Sequence, residues 1–190
     1  MATKHPTRSE RLPARPARRV RGLTLVEMAV VLAIAAIVAA SALPDFGAQL
    51  AMRRLQGAAG NLAADLQLAR SEALARNRTL RFSVRSHAEA SCWIVHTGAA
   101  GDCDCASDGG IVCAPGATAI RSAVLPAADR IAVAGNVASI VFDPLPGTST
   151  PPGTLRVVDA RGRAVHHVVN VLGRVRSCSP AGAVGGYPAC

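Results

Sequence analysis

The chain has 190 residues, enough for one or two ordinary domains. Half of them are hydrophobic, 17% are charged and 3% aromatic, which excludes a disordered polar chain and a base-stacking platform built on rows of aromatic rings. The formal charge of +9 is unevenly placed: residues 1–22 carry seven basic side chains against Glu10 alone, and the rest of the chain carries 14 Arg, no Lys and 11 acids.

The first predicted element is the apolar run 23–43, LTLVEMAVVLAIAAIVAASAL, whose single charge is Glu27. As a helix it would extend roughly 32 Å, against a bilayer hydrocarbon core of about 30 Å. Without Gly or Pro it has no other conformation open to it in lipid. The preceding basic residues are expected to leave the N-terminus in the cytoplasm and everything after residue 43 on the other side of the membrane. A cleaved secretory signal is the competing reading. The run exceeds the usual length of about 7–15 residues, and no small-x-small site closes it before Pro44.

A carboxylate inside such a helix costs on the order of 2–3 kcal/mol unless it stays wet or finds a partner. A cut between Gly22 and Leu23 would create one, because the new α-amino group of Leu23 on one chain could meet Glu27 on another. The sequence Arg21-Gly22-Leu23-Thr24-Leu25-Val26-Glu27 and the apolar run behind it resemble the prepilin signal of type IV pilins and type II secretion pseudopilins. That resemblance implies a prepilin peptidase that cuts after Gly22 and methylates Leu23, leaving Glu27 as the fifth mature residue and Pro44 as the twenty-second. Leu23 departs from the Phe most common at the first mature position.

After Pro44 the spacing predicts an amphipathic helix over 44–78. Its apolar stripe is Leu50, Leu55, Leu62, Leu66, Ala69, Ala73 and Leu74, and its polar side holds Arg53, Arg54, Asp65, Arg70, Glu72 and Arg76. Weak helix formers at 56–60 predict a bend, and Asn77 a stop. From 79 to 190 the period shifts to two, with strands expected at 80–85, 92–96, 118–125, 130–134, 137–143, 154–159, 163–171 and 173–177 and a loop over 98–117. The expected fold is α+β, a long N-terminal helix packed on a β-sandwich-like head. The helix together with Ile140-Val141-Phe142-Asp143-Pro144, Gly153-Thr154-Leu155-Arg156-Val157 and Gly173-Arg174-Val175-Arg176 is similar to the FimT/GspH group of minor pilins and pseudopilins.

All six cysteines, Cys92, Cys103, Cys105, Cys113, Cys178 and Cys190, follow the apolar run, where an oxidising periplasm favours disulfides. Spacing selects no pairing. Cys178–Cys190 is expected to tie down the tail, with the other four stapling the loop to the second strand. Zinc, with His96 as an added ligand, is the alternative, but Cys-x-Cys without a partner Cys-x-x-Cys is poor zinc spacing. Asp102, Asp104 and Asp108-Gly109 fail the EF-hand pattern at 106 and 113, and His166 and His167 should point to opposite sheet faces. With no G-x-S-x-G, no phosphate-binding glycine loop and no metal set, the expectation is a non-enzyme without metal or cofactor.

Arg174 and Arg176, two apart on a strand, share a face, and Gly173 allows close backbone approach. Arg161 and Arg163 are further candidates. Two guanidinium forks can hold phosphates bidentately; the alternative is a solvated basic edge that discourages sheet pairing. The Gly-Arg-x-Arg motif of FimT-like pilins implies contact with double-stranded DNA during uptake, and Gly173-Arg174-Val175-Arg176 matches it. Two functions follow: a fibre subunit assembling with other pilins or minor pseudopilins that also captures DNA, or a GspH-type secretion pseudopilin without a DNA role.

Overall fold

The computed structural model describes residues 22, 24–106, 109–145 and 147–190, with the side chains of 41–45 excepted. The leader 1–21, Leu23 and Asp108 lie outside the described residues. The chain divides into two compact units, Met1–Pro44 and Asp45–Cys190.

Helix α1 (Leu25–Arg76) contributes to both. In the first unit its apolar side chains are exposed all round, from Met28 at 44% to Leu25 at 86%. Among the described residues no helix is long and apolar enough to cross a membrane.

In the second unit α1 buries one stripe: Leu55, Ala58, Ala59, Leu62, Leu66, Ala69 and Ala73. Three features differ from expectation. Residues 56–60 are helical without interruption, because Ala58 and Ala59 face the core and bring the helix backbone close to the sheet. Leu50 and Leu74 are 43% and 47% exposed and lie outside the stripe. Asp65, expected on the polar side, is buried. Its carboxylate accepts hydrogen bonds from the Trp93 indole N–H at 2.7 Å and from Arg121 Nε at 3.1 Å, so the sheet supplies the partners that its position on the helix lacks. The helix ends through Asn77, whose φ of 47° is left-handed, while the Arg78 N–H closes back on the Ala73 carbonyl at 3.1 Å.

The head contains two main antiparallel sheets. The first has the order β5 (Ala119–Pro126), β2 (Ala90–His96), β1 (Leu80–Ser86), β7 (Ser139–Phe142), β8 (Ser149–Thr150). The second has the order β11 (Val175–Cys178), β10 (Ala164–Val169), β9 (Gly153–Asp159), β6 (Ile131–Gly135). Leu80, Phe82, Trp93, Val95, Ile140 and Phe142 of the first sheet meet Val133, Leu155, Val157, Val165 and Val169 of the second and the α1 stripe in one core. The Val133 N–H donates to Ser91 Oγ at 2.9 Å and joins the sheets directly.

The segment expected as a loop over 98–117 contains a hairpin, β3 (Cys103–Cys105) and β4 (Ile111–Cys113). It covers the back of β2, where Cys92, Ile94 and Cys103 form a second small core. Strand β2 is therefore buried on both faces, which explains why its sequence lacks the polar alternation of a half-exposed strand. The tail folds back on the head: Val184 is fully buried and Gln56 Nε2 donates to the Gly185 carbonyl at 2.8 Å.

Candidate functional site

Two regions hold the candidate residues. At the N-terminal end, Thr24 precedes α1 and its Oγ1 accepts the Glu27 N–H at 3.2 Å. Thr24-x-x-Glu27 is thus the start of a capping box, a pattern present in the sequence itself. It sets the first turn of the helix and places Glu27 there, exposed, where the helix dipole favours a carboxylate. Gly22 is exposed and precedes the helix.

The second region is the turn between β10 and β11. Asn170 organises it: its Oδ1 accepts the N–H of Leu172 at 3.1 Å and of Arg174 at 2.9 Å, and its carbonyl accepts the Gly173 N–H at 2.9 Å. The Ser149 hydroxyl also donates to the Asn170 carbonyl, at 2.6 Å, and the Ser149 N–H to the Val171 carbonyl at 2.9 Å. A turn with its backbone groups so committed is rigid before any ligand arrives. Gly173 is buried with φ +68°, a conformation that other residues adopt only under strain. Arg174 and Arg176 are exposed, and among the described residues neither is in an ion pair. Val175 between them packs against the core.

The register places Arg176 opposite Val168 on β10, and His166 between Cys178 on β11 and Arg156 on β9. Arg156 is exposed and shares this outward face. His167 points the other way and is fully buried, with Nδ1 2.8 Å from Ser177 Oγ. Burial, reinforced by His166, lowers its pKa to about 4, so it is neutral at physiological pH.

Arg161 and Arg163 are not brought to the same place. They lie in the turn between β9 and β10, at the other end of β10 from Arg174, roughly 20 Å along the strand. Arg163 is half-buried and Nε donates to Asp159 Oδ2 at 2.7 Å. Burial pushes the Asp159 carboxyl up, but the Arg163 side chain and the backbone N–H groups of Arg163 and Arg161 outweigh it and hold the carboxyl below its ordinary value. Arg163 is thus committed to a structural partner. Arg161 lines a separate cavity of about 340 Å3 with Arg54 and Arg130.

The cysteines pair as Cys92–Cys105, Cys103–Cys113 and Cys178–Cys190. The first ties the hairpin to β2, the second closes the hairpin, and the third fastens the tail to β11. His87, Asp104 and Cys105 form the one candidate metal cluster among the described residues. The Cys105 sulfur is spent in its disulfide, and His87 Nε2 lies 2.8 Å from Asp104. Burial raises the Asp104 pKa, but hydrogen bonds from His87 and the Cys105 N–H outweigh it and lower the value overall. His96 is far from ligation chemistry: Nε2 meets Ser83 Oγ at 2.8 Å and Nδ1 the Thr97 carbonyl at 3.1 Å, and burial lowers its pKa. Asp102 is likewise engaged, accepting the Ala99 N–H at 2.7 Å.

Residues 58–173 match the family described as type II transport protein GspH, and residues 17–43 match the prokaryotic N-terminal methylation motif. The fold is similar to two crystal forms of the type IV minor pilin FimU of Pseudomonas aeruginosa PAO1. Identities are 18% and 20%, with TM-scores of 0.48, over 66% and 67% of this chain and 97% and 93% of those chains. It is also similar to the minor pseudopilin EpsH of the Vibrio cholerae type 2 secretion system, at 14% identity and a TM-score of 0.39, over 66% of this chain and 97% of that one. No curated protein matches the chain.

Proposed function

Because the chain belongs to the GspH family and carries the N-terminal methylation motif, we propose that this minor pilin or pseudopilin, besides building a fibre, holds double-stranded DNA through Arg174 and Arg176. Members of this family are structural subunits and not enzymes. The motif implies processing by prepilin peptidase and anchoring in the inner membrane before assembly with other pilins. In our reading the mature chain begins at Leu23 with a methylated amine, residues 23–43 span the membrane with the N-terminus cytoplasmic, and the head faces the periplasm. Glu27 of one subunit then meets the amine of the next, since both are charged groups at the start of an otherwise apolar helix.

The observation that carries the DNA reading is a pair of exposed guanidinium groups, in no ion pair among the described residues, with Arg174 on the rigid turn and Arg176 on the strand that follows it. Arg side chains on a strand reach phosphates without entering a groove as a helix does, so binding is weak and indifferent to sequence. The test compares the full chain in nonionic detergent with an Arg174→Gln/Arg176→Gln variant, by band shift at several salt concentrations. The leader charges are common to both and cancel. Losing two phosphate contacts should shallow the dependence of log affinity on log salt by nearly two units, equally for all duplex sequences. Circular dichroism should stay unchanged, because exposed charges contribute little to stability. Identical binding by the two proteins would overturn the DNA reading. The family's description as a type II transport protein supports a second reading, a GspH-type minor pseudopilin of type II secretion with no DNA-binding role.

A further inference from the structure

Arg70 flanks the buried stripe of α1, about a hundred positions before Gly173 in the sequence but against it in space. An added Cβ at Gly173 would stand 2.9 Å from Arg70 Cδ and 3.0 Å from Nε, so the Arg70 stem runs directly over Gly173. Its Nε is shielded from solvent and has no hydrogen-bond partner, and among the described residues Arg70 makes no ion pair. A cleft of about 380 Å3 opens at this point between α1 and the β10–β11 turn, lined by Gln67, Arg70, Ser71, Leu74, Gly173 and Arg174.

We propose that Arg70 is a third phosphate-binding residue of this site, and that Gly173 is glycine so that the Arg70 stem can lie across it and bring its guanidinium to the cleft it shares with Arg174. This deepens the DNA reading and rests on it. Two like charges converging on one cleft without a carboxylate between them repel each other, and an anion removes that repulsion. Gln67 and Ser71 add hydrogen-bonding groups on the helix side. A phosphate is the anion that fits, because each Arg presents a planar fork to its oxygens. The stem of Arg70 packs on the protein while its head reaches the cleft, so little side-chain entropy remains to be lost on binding. The motif thus supplies Arg174 from the turn and Arg176 from β11, and the helix supplies the cation that the motif does not contain.

The test uses the full chain in nonionic detergent and a duplex DNA probe, with affinity read against salt. Arg70→Met keeps an unbranched stem over Gly173 and removes the charge; it should shallow the salt slope by about one unit. Arg70→Lys should retain the slope. Arg53→Gln, on the same helix but about 25 Å away along its axis, should leave it unchanged. Gly173→Ala removes no charge, yet by displacing Arg70 it should also cost about one unit, and the Gly173→Ala/Arg70→Met double variant should lose no more slope than Arg70→Met alone. A thermal melt checks that each variant folds; should Gly173→Ala fail to fold, the Arg70→Met and Arg70→Lys pair decides alone. If Arg70→Met binds like wild type while Arg174→Gln/Arg176→Gln loses slope, the Arg70 assignment is wrong and the DNA reading stands. If neither variant differs from wild type, both are wrong.

Discussion

Helix α1 contains two stretches that bear apolar residues in different patterns and differ in what surrounds them. Residues 25–40 expose Val, Leu and Ile on every side, with only Glu27 charged. Residues 55–73 bury a single stripe in which alanines alternate with leucines, and the opposite side carries charge. An all-round apolar helix needs a surrounding apolar medium, whether lipid or neighbouring helices, whereas a one-sided helix needs a sheet. The small residues Ala58, Ala59, Ala69 and Ala73 let the sheet approach, and buried Asp65 pins the contact through Trp93 and Arg121. The first stretch is built for partners outside the chain, and the second for partners within it.

The largest expected difference between the two stretches is in packing. Leu62→Ala, inside the core, should destabilise the head by about 2–5 kcal/mol, whereas Leu32→Ala, exposed at 63%, should leave head stability unchanged. Urea unfolding followed by fluorescence of Trp93, the only tryptophan, measures both. Equal losses would mean that the first stretch is also part of the folded core.

Acid should act on the head in a similar range. His167 is buried and neutral, its pKa lowered to about 4 from an ordinary 6.5. The unfolded chain therefore binds the proton first as pH falls. The stabilisation is fully present above about pH 6.5 and is lost as pH drops toward 4, by about 3 kcal/mol in all. His96, also lowered by burial, adds a loss of the same sign. Unfolding midpoints at pH 7 and pH 4.5 should differ clearly in the wild type and less in His167→Gln; parallel profiles would assign the acid sensitivity elsewhere. Residues 25–40 contain no histidine, so this sensitivity belongs to the head.

Smaller still is the effect at Asp65. Asp65→Ala leaves the Trp93 N–H without its acceptor in the core and should cost about 1–3 kcal/mol, while Asp65→Asn, which keeps an acceptor, should cost less. The same urea titrations distinguish them, and a neutral Asp65→Ala would show that the pin contributes nothing. At the other extreme, Glu27→Ala should not move head stability at all. Its expected effect is reduced incorporation into fibres, read by immunoblot of sheared fractions against the membrane pool; equal incorporation would remove Glu27 from assembly.

The fold class and the family were legible in the sequence because both depend on local periodicity and on a short contiguous signal. The change from an apolar run to a stripe of period 3.6 and then to period two marks a helix followed by a β-rich head. Less was legible where a residue's role depends on what lies across from it. Asp65 reads as a surface acid until Trp93 and Arg121 are placed beside it. The hairpin over 103–113 is too short and too polar for a period to register. Arg161, Arg163, Arg174 and Arg176 are close in sequence, yet strand β10 holds the two pairs at its opposite ends.

By itself the sequence determined the apolar run, the amphipathic helix after it and the helix-to-strand order, because each is set by spacing within a single element; Arg174, expected on the same strand as Arg176, instead precedes β11 in the turn. Only the tertiary structure decided which acids and arginines are spent on internal partners. Asp159 takes Arg163, and the Cys105 sulfur takes Cys92. It also decided that Gly173 lies beneath Arg70, a residue about a hundred positions earlier in the chain. Such contacts follow from how the helix is laid on the sheets, and burial against a distant element leaves no periodic trace in the residues on either side.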